Sequence, residues 1–321
     1  MIKALMLAAL AAAPMVHAQT QWKLATGYRA ESFHTRNIVQ FAQEVEKASA
    51  GALRIEVHPN NALFKLSDIA AAVEGGKAQA GETIMSSLVR DLPIAGADSV
   101  PFVVRTFADA RRMWDLQRPL IDTHFAGKGM KALYAVPWPP QGLFSIAPVR
   151  SAADFRGTRM RTYNPATVRI AELLNAAPVD VPMVEVNKAL SGGKLDSMIT
   201  SALTGVENQV WGQIKHYYPI NAWFPKNIVF VNQQAFDALA PPVRQAVVKA
   251  AADAEARGWA MSEAISEESV AELQRKGIKV DRATAELDTE LKRLGERFSR
   301  EWVQSVGNEA NKVFIPFYFQ R

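Results

Sequence analysis

The chain of 321 residues contains no cysteine. Disulfides, thiol chemistry and a lipidated cysteine anchor are thereby excluded, and stability has to come from core burial. There are only five histidines, and no two have the spacing of a metal-ligand pair. No Gly-x-Ser-x-Gly, His-Glu-x-x-His or Gly-x-Gly-x-x-Gly run occurs, so the common marks of serine hydrolases, zinc proteases and dinucleotide enzymes are missing. Neither a cofactor nor a metal is expected. No stretch reaches the roughly 18 uninterrupted apolar residues of a membrane span, and no internal repeat or low-complexity linker breaks the chain. Basic residues exceed acidic ones by a formal +5 and are dispersed, which reads as a solvated surface rather than a nucleic-acid face.

At the start, Met1-Ile2-Lys3, the apolar run 4–16 and Val16-His17-Ala18 have the order of a secretory signal peptide. Residues 1–18 are therefore expected to be removed on export. The remainder is long enough for two domains with real cores. Its expected address is the periplasm of a Gram-negative bacterium, as a free monomer.

Periodicity gives an α/β pattern. Strands are expected over 21–26, 53–57 and 79–84, the last ending near Glu82, with helices over 35–48 and 67–74 between them. Phe33 and His34 fall in the loop before the first helix. Further on come a helix over 107–125, strands over 131–137 and 143–147, and a Trp138-Pro139-Pro140-Gln141-Gly142 break between those strands. A helix over 204–214 carries Glu207 and Trp211, and a strand covers 227–232. Pro241-Pro242 opens a helix reaching Lys276, about 50 Å long at 1.5 Å per residue, with Gly258 as a point of bending. The chain closes with one amphipathic helix over 287–314.

The run Asp154 to Thr167, DFRGTRMRTYNPAT, organises the reading. Its strand places Arg159 and Arg161 on one face. Asn164-Pro165 then starts a helix, with Asn as cap and Pro at the first helical position. Arg161 thus lies at the carboxyl end of a strand, where open α/β sheets hold ligands. Its planar fork of donors suits a carboxylate. Arg159 is the rival, with a surface salt bridge as its alternative role.

Several local runs occur in a familiar order: 47–53 (KASAGAL), 55–59 (IEVHP), 61–63 (NAL), 72–76 (AVEGG), Val100-Pro101-Phe102, 155–161 (FRGTRMR), 182–186 (PMVEV) and Leu195-Asp196. Together they resemble the DctP family, the solute-binding proteins of TRAP transporters. The resemblance covers nearly all of the chain after residue 18. It implies a two-lobed periplasmic binding protein fold, with a long helix spanning both lobes and a ligand held in the cleft. It also implies delivery to the two membrane subunits of an ion-driven permease, and it puts the family's ligand-holding arginine at Arg161. The lobes are expected at 19–137 plus 226–265 and at 138–225 plus 266–321. Gln141 stands where many members, notably those for sialic acid, carry a second arginine, and Thr200 stands where that group has asparagine. Both departures imply a smaller acid with one carboxylate, such as pyroglutamate or a 2-oxo or hydroxy acid. No second cation for a dicarboxylate can be placed from the sequence.

Around Arg161 the remaining candidates have two readings each. Trp138 and Trp211 wall the ligand, with indole N–H groups as donors, or fill hinge and core; Trp223, where the chain recrosses between lobes, lines the cleft or packs away from it. Thr200 and Ser201 bond the ligand or cap a helix. Glu82 receives a ligand amide or hydroxyl, or is structural. Phe33 and His34 reach the ligand or start a helix, and Gln141 contacts a neutral ligand group. Two other functions share these residues: a ligand sensor for a membrane receptor, and a hydrolase using Glu82 and Glu207 as a carboxylate pair.

Overall fold

The computed structural model describes residues 19–319; the expected export signal lies outside the described residues. In chain order the elements are β1 (Thr20–Ala25), α1 (Phe33–Ala48), β2 (Leu53–His58), α2 (Ile69–Glu74), β3 (Ala80–Ile84), α3 (Phe107–Gly127), β4 (Met130–Pro137), β5 (Gln141–Ser145), β6 (Arg159–Thr162), α4 (Pro165–Leu173), β7 (Ala177–Asp180), α5 (Val186–Ser191), β8 (Ser197–Ser201), α6 (Ala202–Glu207), β9 (His216–Tyr218), β10 (Lys226–Asn232), α7 (Gln233–Asp237), α8 (Pro241–Arg275), β11 (Lys279–Val280), α9 (Ala285–Val306) and α10 (Asn308–Phe319). Among the described residues, no helix is long and apolar enough to cross a membrane.

Two sheets organise two lobes. The first has the order β2-β1-β3-β10-β4, with β10 antiparallel to both neighbours. The second runs β11-β9-β5-β8-β6-β7, with β6 parallel to β7 and β8. Alternation sets which side chains enter the cores: Trp22 and Leu24 of β1 are buried while Gln21 and Lys23 are exposed. In α1, Ile38, Phe41, Ala42 and Val45 form the buried stripe at helical spacing.

The chain crosses between lobes at 138–140 and again at 219–225. These two segments pair with each other: Trp138 N donates to Pro225 O (2.8 Å), Gln141 N to Trp223 O (3.0 Å) and Ala222 N to Gln141 O (2.8 Å). The long helix α8 is the third connection. It packs on α1 and β4 of the first lobe, then on α6 and β11 of the second. The helix is unbroken, and Gly258 serves close approach rather than an interruption. A Cβ there would come within 2.4 Å of a Val136 methyl and 2.8 Å of Asn37 Nδ2. Glu255, one turn earlier, holds α8 to α3 by accepting from Arg111 Nη1 (3.0 Å), Trp114 Nε1 (2.8 Å) and Arg118 Nη1 (3.1 Å).

Four expectations differ from the structure. The helix expected over 204–214 stops at Glu207, because Gln209 adopts a left-handed φ of 50°; Trp211 therefore sits on a short 3-10 turn. The terminal helix is split by Gly307, whose φ is 70°, and the second piece, α10, turns back onto α3 in the first lobe. Phe33 and His34 belong to the first turn of α1 rather than to a loop. Glu82 lies in the middle of β3, not at its end.

Candidate functional site

Between the lobes is a cavity of ≈ 720 Å³, within the usual size of small-molecule sites. Its walls come from the carboxyl ends of parallel strands in both sheets, as the general rule for such sheets requires. The first lobe contributes Gly27 and Tyr28 after β1, Asn61, Lys65, Leu66 and Ser67 after β2, and Ile84 and Ser87 at the end of β3. From the second lobe come Arg161 and Tyr163 around the end of β6, Asp180 at the end of β7, Pro182 to Glu185 beyond it, and Thr200 and Thr204 at the end of β8. The crossing segments add Trp138, Gln141 and Pro225.

Arg161 is 4% exposed. Its strand neighbours fix its position: Arg161 pairs with Val179 on one side and Met198 on the other. Nε donates to the carbonyl of Val181 at 2.9 Å, which sets the plane of the guanidinium. Among the described residues, neither terminal nitrogen has a hydrogen-bond partner, and Arg161 lines the cavity. Tyr163 lies against the group, its ring centroid 4.9 Å from Cζ. Burial pulls the Arg161 pKa down to about 10, partly offset by Tyr163, Asp180 and Tyr28, so the group stays charged at neutral pH. Behind it the helix start follows the sequence pattern: Asn164 Oδ1 accepts from Thr167 N at 2.8 Å, and Pro165 begins α4.

Gln141 is turned partly inward. Its Nε2 donates to Pro139 O (2.9 Å), and Tyr163 Oη lies 3.5 Å from its Oε1. Thr200 lines the cavity, whereas Ser201 does not; the Ser201 hydroxyl caps α6 by accepting from Thr204 N at 3.1 Å. Thr204 takes a place in the lining that was expected of Ser201.

Trp138 lines the cavity with its ring, but its N–H is engaged elsewhere: Nε1 donates to Asn227 Oδ1 at 2.8 Å. The expected indole donor to the ligand is therefore absent at this position. Tyr28 Oη donates to the same oxygen at 3.2 Å. Asn227 Nδ2 in turn donates to Glu82 Oε1 (2.9 Å), and Thr26 Oγ1 to Glu82 Oε2 (2.5 Å). Glu82 thus sits in the core behind the wall and outside the lining. His34 Nδ1 is 3.5 Å from the same carboxylate. Burial opposes charge on both groups, raising Glu82 to about 7 and holding His34 well below its ordinary value. Phe33 and His34 pack on Trp138, with ring centroids 5.7 and 4.4 Å away, and neither lines the cavity.

The other candidates lie away from the cavity. Trp211 is covered by Lys276, whose Nζ is 5.3 Å from its ring. Trp223 is 1% exposed and contributes its backbone carbonyl to the hinge pairing. Arg159 is a surface residue bound to Asp196, with Nη2 to Oδ1 at 2.7 Å. It shares a strand with Arg161, but it sits at the solvent end. Glu207 is also outside the lining, so the proposed carboxylate pair with Glu82 does not meet in the cavity.

Sequence reading passed over several residues in or behind the walls. Tyr163 follows Arg161 by two positions at the same strand end, a visible signal. Asn227, behind the first-lobe wall, is a polar residue in the apolar run of β10, which was also visible. Lys65 is a second cation that the sequence could not place; it is exposed in the loop after β2 and enters no ion pair among the described residues. Arg29 reaches across from the first lobe to the carbonyls of Val184 (3.0 Å) and Glu207 (2.9 Å); no periodicity points to such a contact.

Comparison with known proteins agrees with this architecture. The family model for bacterial extracellular solute-binding protein, family 7, named DctP, matches residues 25–304. DctP6 of Bordetella pertussis, an extracytoplasmic solute receptor binding pyroglutamic acid, is 35% identical with a TM-score of 0.91, over 93% of this chain and 99% of that one. A marine metagenome TRAP solute-binding protein specific for pyroglutamate is 33% identical with a TM-score of 0.90, over 94% and 99% of the two chains. The 2,3-diketo-L-gulonate-binding periplasmic protein YiaO of Escherichia coli is 25% identical over 301 residues, 90% of this chain and 86% of YiaO. With two sheets facing one cleft, a long helix joined to both lobes and a family match over most of its length, the chain belongs to the DctP family of TRAP transporter solute-binding proteins.

Proposed function

We propose that this protein captures a small monocarboxylate, pyroglutamate or a related 2-oxo or hydroxy acid, with the carboxylate on Arg161. The observation that carries this reading is the arginine itself: buried at a strand end, fixed through Nε, lining the cavity and with both terminal nitrogens without a hydrogen-bond partner among the described residues. A charge-assisted, two-pronged bond in a site poor in water is among the stronger polar contacts a protein makes. Two relatives of 33 and 35% identity that bind pyroglutamate support the ligand class.

The two lobes, 19–137 plus 226–265 with the returning helix α10, and 138–225 plus 266–306, close about the paired crossing segments. A bound acid favours the closed form to the extent that it contacts both lobes. The closed form is delivered to the membrane subunits of a TRAP permease. The chain acts in the periplasm after loss of residues 1–18, as a monomer, and binds its ligand without chemical turnover.

Thermal shift against mono- and dicarboxylates, sugars and amino acids tests this reading. A ligand at 100 times its Kd adds about 2.7 kcal/mol, a rise of a few degrees at this chain length. Monocarboxylates, pyroglutamate among them, are expected to give the shift. A response to dicarboxylates alone would move the emphasis to Lys65 and overturn the one-carboxylate reading. No response to any acid would remove it altogether.

A further inference from the structure

We propose that Asn227 is a specificity-determining positioning residue: held by Glu82, its side-chain amide fixes Tyr28 and Trp138 so that the first-lobe wall offers the ligand aromatic faces and no side-chain donor from either ring. The inference rests on the carboxylate-binding reading above and names what the rest of that ligand meets.

Asn227 joins three separate segments. It lies near the start of β10, paired with Ile84 of β3 on one side and Val136 of β4 on the other. Glu82 and Trp138 each lie two residues from those partners, so all three side chains share a sheet face. Tyr28 reaches the same point from the loop after β1. Asn227, Glu82, Tyr28 and Trp138 are 1, 1, 4 and 4% exposed, so every donor and acceptor among them needs a protein partner.

The orientation of the amide follows from the inventory of donors and acceptors. An indole N–H can only donate, so the group 2.8 Å from Trp138 Nε1 must be the Asn227 oxygen. The amide nitrogen then faces Glu82 Oε1 at 2.9 Å, where a carboxylate oxygen accepts. Tyr28 Oη, 3.2 Å from the same amide oxygen, donates there as well. One amide therefore occupies the donors of both aromatic walls. Their rings are 5.2 Å apart, and Phe33 and His34 back them up.

The consequence is a division of labour across the cavity. Ionic donors come from Arg161 on the second lobe, while the facing rings accept flat or apolar surface. A compact ring acid fits this wall. Against these two rings, an acid carrying hydroxyls on every ring carbon would lose water without gaining a donor from either of them in return. Selectivity between the two kinds of acid is therefore placed on Asn227, a residue outside the cavity lining.

The test measures affinity for pyroglutamate and for D-glucuronate by calorimetry, in the wild type, Asn227→Ala, Asn227→Asp and the double variant Asn227→Asp/Glu82→Gln. Freeing the two ring donors in Asn227→Ala is expected to reduce the preference for pyroglutamate over glucuronate at least tenfold. Asn227→Asp keeps an acceptor for both rings and can take a hydrogen bond from the Glu82 carboxyl that burial holds protonated, so its preference is expected to stay within about threefold of the wild type. In the double variant the introduced glutamine amide donates to the introduced carboxylate, which still accepts from both rings; the preference is again expected to lie within about threefold of the wild type. A merely structural role would weaken both acids equally and leave the ratio unmoved. A folded Asn227→Ala with an unchanged ratio overturns the proposal, as does a double variant that loses the preference although it keeps the acceptor for both rings; this second comparison stands even where Asn227→Ala fails to fold. If the wild type binds neither acid, the carboxylate reading fails first and takes the inference with it. If the wild type binds and only the ratios stay fixed, the inference fails alone.

Discussion

The two walls of the cavity are built on opposite electrostatic plans. On the second lobe, Arg161 is buried and charged, with one of its nitrogens tied to Val181 O and the other two without a hydrogen-bond partner among the described residues. On the first lobe, one buried cluster is joined by its own hydrogen bonds: Thr26 and Asn227 donate to Glu82, with His34 beside it, and Asn227 closes off Tyr28 and Trp138. One wall keeps an unfilled bond, while the Tyr28 and Trp138 rings opposite have their donors filled in advance. Burial alone therefore does not mark a ligand contact. Glu82 is more deeply buried than Arg161 (1 against 4%) and its pKa is also displaced, yet only Arg161 lines the cavity.

The largest expected break in this contrast is Arg161→Ala. Removing one partner of a buried charged pair costs roughly 2–5 kcal/mol of binding, so calorimetry should show affinity for the acid falling by a factor of about 30 to several thousand. Circular dichroism should show an unchanged fold. Near-native affinity in this variant would sink the assignment of the carboxylate to Arg161.

Glu82 tests the other wall through stability. Burial raises its pKa from 4.5 to about 7, so the folded state holds this proton more tightly than the unfolded chain. The group is neutral in both states below about pH 4.5 and contributes no pH-dependent loss there. Between 4.5 and 7 the unfolded chain ionises first, and stability falls by at most roughly 3 kcal/mol. Glu82→Gln removes this term. Urea unfolding should show the variant gaining on the wild type as pH rises from 5 to 8, and parallel curves would contradict a carboxyl held neutral by burial.

Gln141→Arg sharpens the contrast by adding a second cation to the crossing segment beside Tyr163. Selectivity should move toward doubly charged acids by about tenfold, close to one charged hydrogen bond. Competition binding with mono- and dicarboxylates reads this directly, and an unmoved ratio counts against position 141 as a determinant of ligand charge. Lys65→Ala should have the smallest effect. The residue is exposed, and an exposed charge is worth roughly 0–1 kcal/mol, so affinity for a monocarboxylate should change by no more than about fivefold. A larger loss would make the first-lobe wall ionic after all.

The main elements were legible in the residues because they depend on local rules. Alternation marked β1 and β2, the 3.6-residue stripe marked α1, and Asn164-Pro165 marked the start of α4. The position of Arg161 at a strand end followed from the same local pattern. The errors came where one residue's backbone outweighed side-chain periodicity: Gln209 ended α6 with a left-handed φ, and Gly307 split α9 from α10. Trp211 was misread for that reason, since its apolar spacing suited a helix that the backbone had already left.

The sequence by itself determined the α/β alternation, the family pattern and the strand-end arginine, because short-range sterics and burial periodicity act within a few residues. Only the tertiary structure decided which polar groups face the cavity. Trp138, Asn227, Glu82 and Tyr28 are spread over 199 positions from Tyr28 to Asn227, and nothing local states that one amide takes the donors of two rings. Each of those side chains had the chemistry to touch a ligand. Which ones are already occupied depends on hydrogen bonds between β3, β10, the crossing segment and the first loop, and these form only when the sheet brings the four segments together.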